Sequence, residues 1–150
     1  MSRVQLALNV SNIDDAVAFY SKLFNTEPAK RQPGYANFAI SEPPLKLVLI
    51  ENPGAESRLN HLGIEVFSQP EVVEAHDHLV EQGLEVMNED GVTCCYAVQD
   101  KVWVQDPDKA PWEVYTVLAH ADSMGESHGI PVLNPDGACC AQDSTCCVAD

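Results

Sequence analysis

The strongest constraint on this chain is that one pattern is written in it twice. Laying Gln5 over His61 sets Leu6 over Leu62, Leu8 over Ile64 and Val10 over Val66, and the segments that follow keep the same order. From Val4 to Val10, Val and Leu alternate with Gln5, Ala7 and Asn9, the period of a half-buried strand. Ser11-Asn12-Ile13-Asp14-Asp15 then supplies a helix N-cap and an acidic first turn, with Ala16, Val17, Phe19, Tyr20, Leu23 and Phe24 at helical spacing behind it. Asn25 can end that helix, and short strands are expected over 28–32, 34–40 and 45–50, separated by Pro33-Gly34 and Glu42-Pro43-Pro44. After a linker at 52–57 the order returns: a strand over 60–66, a helix over 70–83 stopped by Gly83, and strands over 84–88, 94–98 continued by 102–104, and 112–118. The expected fold class is α+β: tandem βαβββ modules, residues 1–51 and 59–118, forming one domain over 1–120.

Charge and composition narrow the partners. Lys and Arg number 8 against 23 Asp and Glu, a formal charge of −15, which argues against nucleic acid or an anionic membrane surface. No apolar run approaches the roughly 18 residues of a membrane span, and the N-terminus lacks a signal-peptide core, so cytoplasmic location is the expectation. Residues 121–150 carry no Lys or Arg and no sustained periodicity, and read as a flexible acidic tail. The 6 cysteines come as adjacent pairs, Cys94-Cys95, Cys139-Cys140 and Cys146-Cys147. Adjacent pairs suit cross-linking poorly, so in a reducing compartment they read better as ligands for soft ions or as redox groups.

The duplication also nominates a site. First strands of two such modules pair about a pseudo-twofold axis, so Gln5 and His61 converge. Last strands correspond in the same way, setting Val48 opposite Glu113. A carboxamide, an imidazole and a carboxylate form an N/O donor set for a metal with coordination positions left open, close to the facial triad of non-haem Fe(II) oxygenases with Gln replacing one His. Singly, each has a plainer reading: Gln5 a polar strand position, His61 a satisfied strand histidine, Glu113 a solvent-facing carboxylate. His76 and His78, two apart on a helix, do not share a face. His120 and His128 have no partners in register.

The duplicated plan with Gln5, His61 and Glu113 in its metal positions resembles the vicinal oxygen chelate superfamily, which implies that the two modules form one curved mixed-sheet domain. Thr93-Cys94-Cys95-Tyr96, Gln99-Asp100-Lys101-Val102-Trp103, Pro111-Trp112-Glu113-Val114-Tyr115 and the 33–40 and 44–50 segments narrow the resemblance to ArsI-type carbon–arsenic lyases and the related cadmium-induced proteins. It covers residues 1 to 118. It implies an Fe(II)-dependent dioxygenase using O2 to cleave the C–As bond of trivalent organoarsenicals such as methylarsenite, releasing arsenite. Val48 stands where many superfamily members carry a fourth ligand, which favours an open oxygenase-like centre over a glyoxalase-like isomerase. Under this resemblance Cys94 and Cys95 hold the thiophilic arsenic, for which the pair must lie on a loop, bulge or strand end, because strand neighbours point to opposite faces. Tyr96 and Lys101 are candidates to orient the substrate, with a core ring and a surface cation as the plain alternatives. Cys139, Cys140, Cys146 and Cys147 are candidates for soft metal(loid) ions or parts of a dispensable tail. The competing function is a non-catalytic cadmium- or arsenite-induced protein that sequesters soft ions.

Overall fold

The computed structural model describes residues 2–94 and 97–120. In chain order these form β1 (Arg3–Val10), α1 (Ile13–Phe24), β2 (Lys30–Gln32), β3 (Tyr35–Ile40), β4 (Leu45–Glu51), β5 (Leu59–Glu65), α2 (Gln69–Glu81), β6 (Met87–Cys94), β7 (Ala97–Gln105) and β8 (Pro111–His120). The expected βαβββ order is therefore present twice. Local chemistry sets the helix ends. The Asn12 side chain accepts from the Asp15 amide, and Asn25 closes α1 in the left-handed region at φ 50. Pro70 lies in the first turn of α2, where a missing N–H costs nothing, and Gly83 follows its end at φ 79.

The strands build one eight-stranded sheet in the order β2-β3-β4-β1-β5-β8-β7-β6. Its centre is the antiparallel β1–β5 pair, flanked by the parallel pairs β1–β4 and β5–β8. Leu6 lies directly opposite Leu62, so the repeat axis passes through that pair, and Gln5 and His61 flank it on one face. Ala7 pairs with Val48 while its counterpart Gly63 pairs with Glu113, which makes Val48 and Glu113 equivalent. Residues of β3 and β7 line a common cavity although five strand spacings separate them in the sheet. A flat sheet would hold them about 24 Å apart at ~4.8 Å per strand; the sheet curls around the cavity instead.

The other face packs on the helices. Under α1, Val10, Ile13, Val17, Phe38, Leu47 and Leu49 are buried together. The second module has a leaner cluster, Val66, Val72 and Val102, with Leu79, Val86 and Val114 packed against it. Period-2 alternation explains the division: in β1, Leu6 and Leu8 face the helix side, while Arg3 and Gln5 line the cavity. Two expectations need correction. Cys94 does not open β7 but ends β6, paired with Ala97, and β7 runs unbroken from Ala97 to Gln105. The strand expected over 84–88 begins at Met87 and continues to Cys94. Cys95, Tyr96 and residues 121–150, including Cys139, Cys140, Cys146, Cys147 and His128, lie outside the described residues.

One glycine is set by the register. Gly63 pairs with Gln5 on one side and Glu113 on the other. A Cβ there would meet Glu113 Cγ at 3.0 Å, the Glu113 carbonyl oxygen at 3.1 Å and Gln5 Nε2 at 3.3 Å. The backbone oxygen cannot rotate away. Gly63→Ala is therefore expected to destabilise by about 1–3 kcal/mol, as overpacking does. Gly54→Ala, where a Cβ meets nothing within 4 Å, should stay within about 0.5 kcal/mol of the parent. Urea midpoints at unchanged m-value check both; equal midpoints would refute the close packing over Gly63.

Candidate functional site

Gln5, His61 and Glu113 come from β1, β5 and β8 and meet on the cavity face, 4, 1 and 2 % exposed. Gln5 and Glu113 lean over Gly63 from either side, so Gln5 Nε2 lies 2.7 Å from Glu113 Oε1. His61 reaches in diagonally: its Nε2 is 2.9 Å from Gln5 Nε2 and 3.1 Å from Glu113 Oε1. The solvent-facing alternative for Glu113 is thereby excluded. Val48 is buried and lines the same cavity, adding no donor.

Each of the three is held from behind. His61 Nδ1 lies 2.8 Å from Asn60 Oδ1, and since that oxygen can only accept, Nδ1 carries the hydrogen and Nε2 faces the cluster with its lone pair. Asn60 donates to Asn9 Oδ1 at 3.0 Å, and Asn9 donates to the Ser57 carbonyl at 2.9 Å, so the ring is anchored to backbone. The Trp103 ring meets His61 edge-on at 5.5 Å and is itself fixed by donating Nε1–H to Glu89. Tyr115 donates its hydroxyl to Gln5 Oε1.

Lys101 resolves an alternative left open by the sequence. It is not a surface cation: it is wholly buried, with Nζ 3.1 Å from Glu113 Oε2 and 5.4 Å from the Trp103 ring centre. Glu113 thus has one oxygen on the ammonium and the other in the cluster. Burial by itself pushes the Glu113 carboxyl up, but the Lys101 ammonium and then the His61 ring in its charged form overcome it and hold it at about 2. Burial, with Glu65 and Glu113 nearby, keeps the Tyr115 hydroxyl protonated well above its ordinary range.

Among the described residues no group of three His, Cys, Asp or Glu side chains forms a metal cluster; the third donor here is a carboxamide. The donor separations of 2.7, 2.9 and 3.1 Å suit a shared cation. Neighbouring ligands about 2.1 Å from an octahedral ion stand about 3.0 Å apart. Gln5 turns its nitrogen to the cluster, donating to two acceptors where a cation would otherwise sit. Turning the carboxamide over brings Oε1 to the cluster and Nε2 to Tyr115, whose hydroxyl can accept as well as donate. The residues fit a divalent ion of hard to intermediate character.

The cavity over this cluster measures about 290 Å³ and is lined by residues of both modules, including Tyr35, Asn37, Gln99 and Ala97. Ala97 is the register partner of Cys94, so β6 ends beside the cavity wall. The sequence did not nominate Asn9, Asn60, Gly63, Trp103 or Tyr115. Trp103 and Tyr115 stood only within the segments that carry the resemblance, and Gly63 is the counterpart of Ala7 in the repeat.

The buried pair yields a pH test. Because the folded carboxyl lies below its ordinary value, its stabilisation is complete above about pH 4.5 and is lost as pH falls through that range toward 2. Lys101→Met leaves a buried carboxylate without its counterion. It is expected to destabilise the metal-free protein by about 3–5 kcal/mol at pH 7 and by less near pH 4, where the carboxyl can take up a proton. Denaturant midpoints at the two pH values measure this; a pH-independent loss would refute the pairing.

Comparison with known proteins agrees with the geometry. The family model described as Glyoxalase/Bleomycin resistance protein/Dioxygenase superfamily matches residues 3–114. The protein named "Cadmium-induced protein CadI" of Mycobacterium tuberculosis is 61% identical over 125 residues, covering 83% of this chain and 82% of that one. The "Trivalent organoarsenical cleaving enzyme" of Thermomonospora curvata is 54% identical over 141 residues, 93% of this chain and 89% of that one. The crystal structure of the Mn(II)-bound glyoxalase from Novosphingobium aromaticivorans shares the fold, with a TM-score of 0.57 and 21% identity over 81% of this chain and 42% of that one. Two βαβββ modules paired through their first strands, a polar cluster at that junction and the matched sequence together place the chain in the Glyoxalase/Bleomycin resistance protein/Dioxygenase superfamily.

Proposed function

We propose that this protein is a metal-dependent enzyme that cleaves the carbon–arsenic bond of trivalent organoarsenicals, with Fe(II) as metal and O2 as co-substrate, releasing arsenite. One juxtaposition carries the reading: the Gln5/His61/Glu113 cluster lines the same cavity as Ala97, the strand partner of Cys94. The relatives named as trivalent organoarsenical cleaving enzymes, 54% and 41% identical, supply the substrate class.

Gln5, His61 and Glu113 would hold the iron, which supplies redox capacity toward O2 that no side chain here possesses. The chain's own residues prepare that place. Asn60 fixes the His61 tautomer and Tyr115 sets the Gln5 carboxamide. Lys101 occupies Glu113 Oε2, so the carboxylate offers a single oxygen and stays unprotonated. Val48, apolar where a fourth ligand would stand, keeps the donor set at three protein groups.

Cys94 and Cys95 are the substrate's handle in this reading. Thiolates bind soft arsenic, while the N/O cluster prefers a harder ion, so the two elements sort by ligand softness. Cys94 is the last residue of β6, which supports the strand-end placement this role requires. The second reading is sequestration of cadmium or arsenite by the cysteine pairs without turnover, favoured by the 61% identity to proteins named as cadmium-induced.

Anaerobic loading with Fe(II), followed by methylarsenite and then air, separates the two. Arsenite release with O2 uptake is expected; none from an iron-loaded, reduced sample overturns the enzyme reading. Cys94→Ser or Cys95→Ser should abolish turnover, whereas removal of residues 121–150 should leave most of it. Full loss on removing the tail would assign the essential thiols to Cys139, Cys140, Cys146 or Cys147 instead.

A further inference from the structure

The cavity has a second polar end, two residues along the strands from the Gln5/His61/Glu113 cluster. Arg3 on β1 and Glu65 on β5 are register partners, and Lys46 on β4 is the register partner of Gln5. Arg3 bonds Glu65 Oε2 through Nε, and Lys46 Nζ stands 3.7 Å from Glu65 Oε1. All three line the cavity, together with Lys30. The chain as a whole carries 8 basic and 23 acidic residues. Its cavity reverses that balance: Arg3, Lys30 and Lys46 stand against Glu65 and Glu113, and a divalent ion on the cluster would tip the lining further toward positive. A surface selected only for solubility would not gather cations here.

The contact from Arg3 to Glu65 is made by Nε, so it does not consume the two terminal nitrogens, the fork that grips a carboxylate. The exposures form a gradient. Gln5, His61 and Glu113 are 4 % exposed or less, whereas the side chains of Arg3 and Lys46 are 21% and 16% accessible. Two residues on a strand advance about 6.7 Å, the reach of one para-substituted aromatic ring. Small and apolar residues, Ala29, Ala39 and Val48, line the cavity alongside these groups. A volume of about 290 Å³ also exceeds the need of a one-carbon arsenical, a molecule only a few times larger than water with its ~30 Å³ share of the liquid.

We propose that Arg3 and Lys46, set in place by Glu65, form an anion subsite that receives the negatively charged substituent of an aryl substrate whose reacting atom lies at the Gln5/His61/Glu113 cluster. The subsite deepens the organoarsenical reading above and rests on it for the identity of the reacting end. Its preferred ligands are arylarsenites with an acidic group across the ring, not neutral methyl compounds. Glu65 positions the cations and also offsets part of their charge, so removing its charge has the opposite effect from removing theirs.

The test compares phenylarsenite with 4-carboxyphenylarsenite on the iron-loaded full chain. The ratio of their kcat/KM values, charged over neutral, is expected to fall about tenfold in Arg3→Met, to fall less in Arg3→Lys, which keeps charge without the fork, and to rise in Glu65→Gln. Added salt should lower the parent ratio. A second arm needs no turnover and no iron: benzoate and benzamide binding to the full chain, followed by NMR titration. Benzoate should bind more tightly than benzamide; Arg3→Met should remove the difference and Arg3→Lys should reduce it. Benzoate binding without arsenite release from either arsenical would sink the lyase reading and keep the subsite. Arsenite release with a ratio indifferent to Arg3 and Glu65, and no preference for benzoate, would overturn the subsite and keep the lyase.

Discussion

A carboxylate cannot sit unpaired in a protein interior, and Glu113 is fully interior. Lys101 answers one of its oxygens, itself a wholly buried cation that only such a partner can justify. The other oxygen accepts from the Gln5 carboxamide at 2.7 Å, with His61 Nε2 3.1 Å away. Much of the local architecture follows from that arrangement. Trp103 lies beside both Lys101 and His61, Glu89 fixes Trp103, and the Asn60–Asn9–Ser57 relay keeps His61 from rotating. Gly63 is the steric condition for all of it, since any side chain there would hold Gln5 and Glu113 apart.

The two modules share a backbone plan and divide the physical work. Module one holds the larger apolar cluster, with Phe38, Leu47 and Leu49 packed against α1. Module two packs fewer buried apolar residues against α2 but contributes His61, Glu113, Lys101, Trp103 and Tyr115. The repeat-related pair Val48 and Glu113 condenses this difference into one position: the same place in the fold is apolar in one copy and charged in the other. Burying a polar network costs stability unless every member is satisfied, and the firmer core of module one offsets that cost across the shared β1–β5 junction.

Element order was legible because its signals are local. Asn12, Asn25 and Gly83 mark helix ends within a few residues of the helices they bound. The convergence of Gln5, His61 and Glu113 was legible for another reason: a duplication is an internal alignment, and strand register converts repeat-equivalent positions into neighbours. What hid the border between β6 and β7 was the polarity of Gln99, Asp100 and Lys101. A polar run normally signals a loop, but these residues are buried and face other polar groups, so the strand continues through them. Asn9, Asn60 and Tyr115 were hidden because their partners lie far along the chain, and nothing in a local window distinguishes a satisfied buried amide from an exposed one.

The register also bears on the proposed separation of soft and hard chemistry. In a continuous strand, adjacent cysteines would send one sulfur toward the cavity and the other toward the helix face. Cys94, the last residue of β6, has Ala97 as its register partner. Ala97 is on the cavity wall, while Gln5, His61 and Glu113 come from the three central strands. The backbone of Cys94 therefore lies on the outermost strand, whereas the N/O donors stand on the three central ones. Under the proposed function, an ion that prefers nitrogen and oxygen and a centre that prefers sulfur would draw on different strands and would not compete for one set of ligands. A cysteine at the Val48 position would remove that separation, because it would set a soft donor directly among the hard ones.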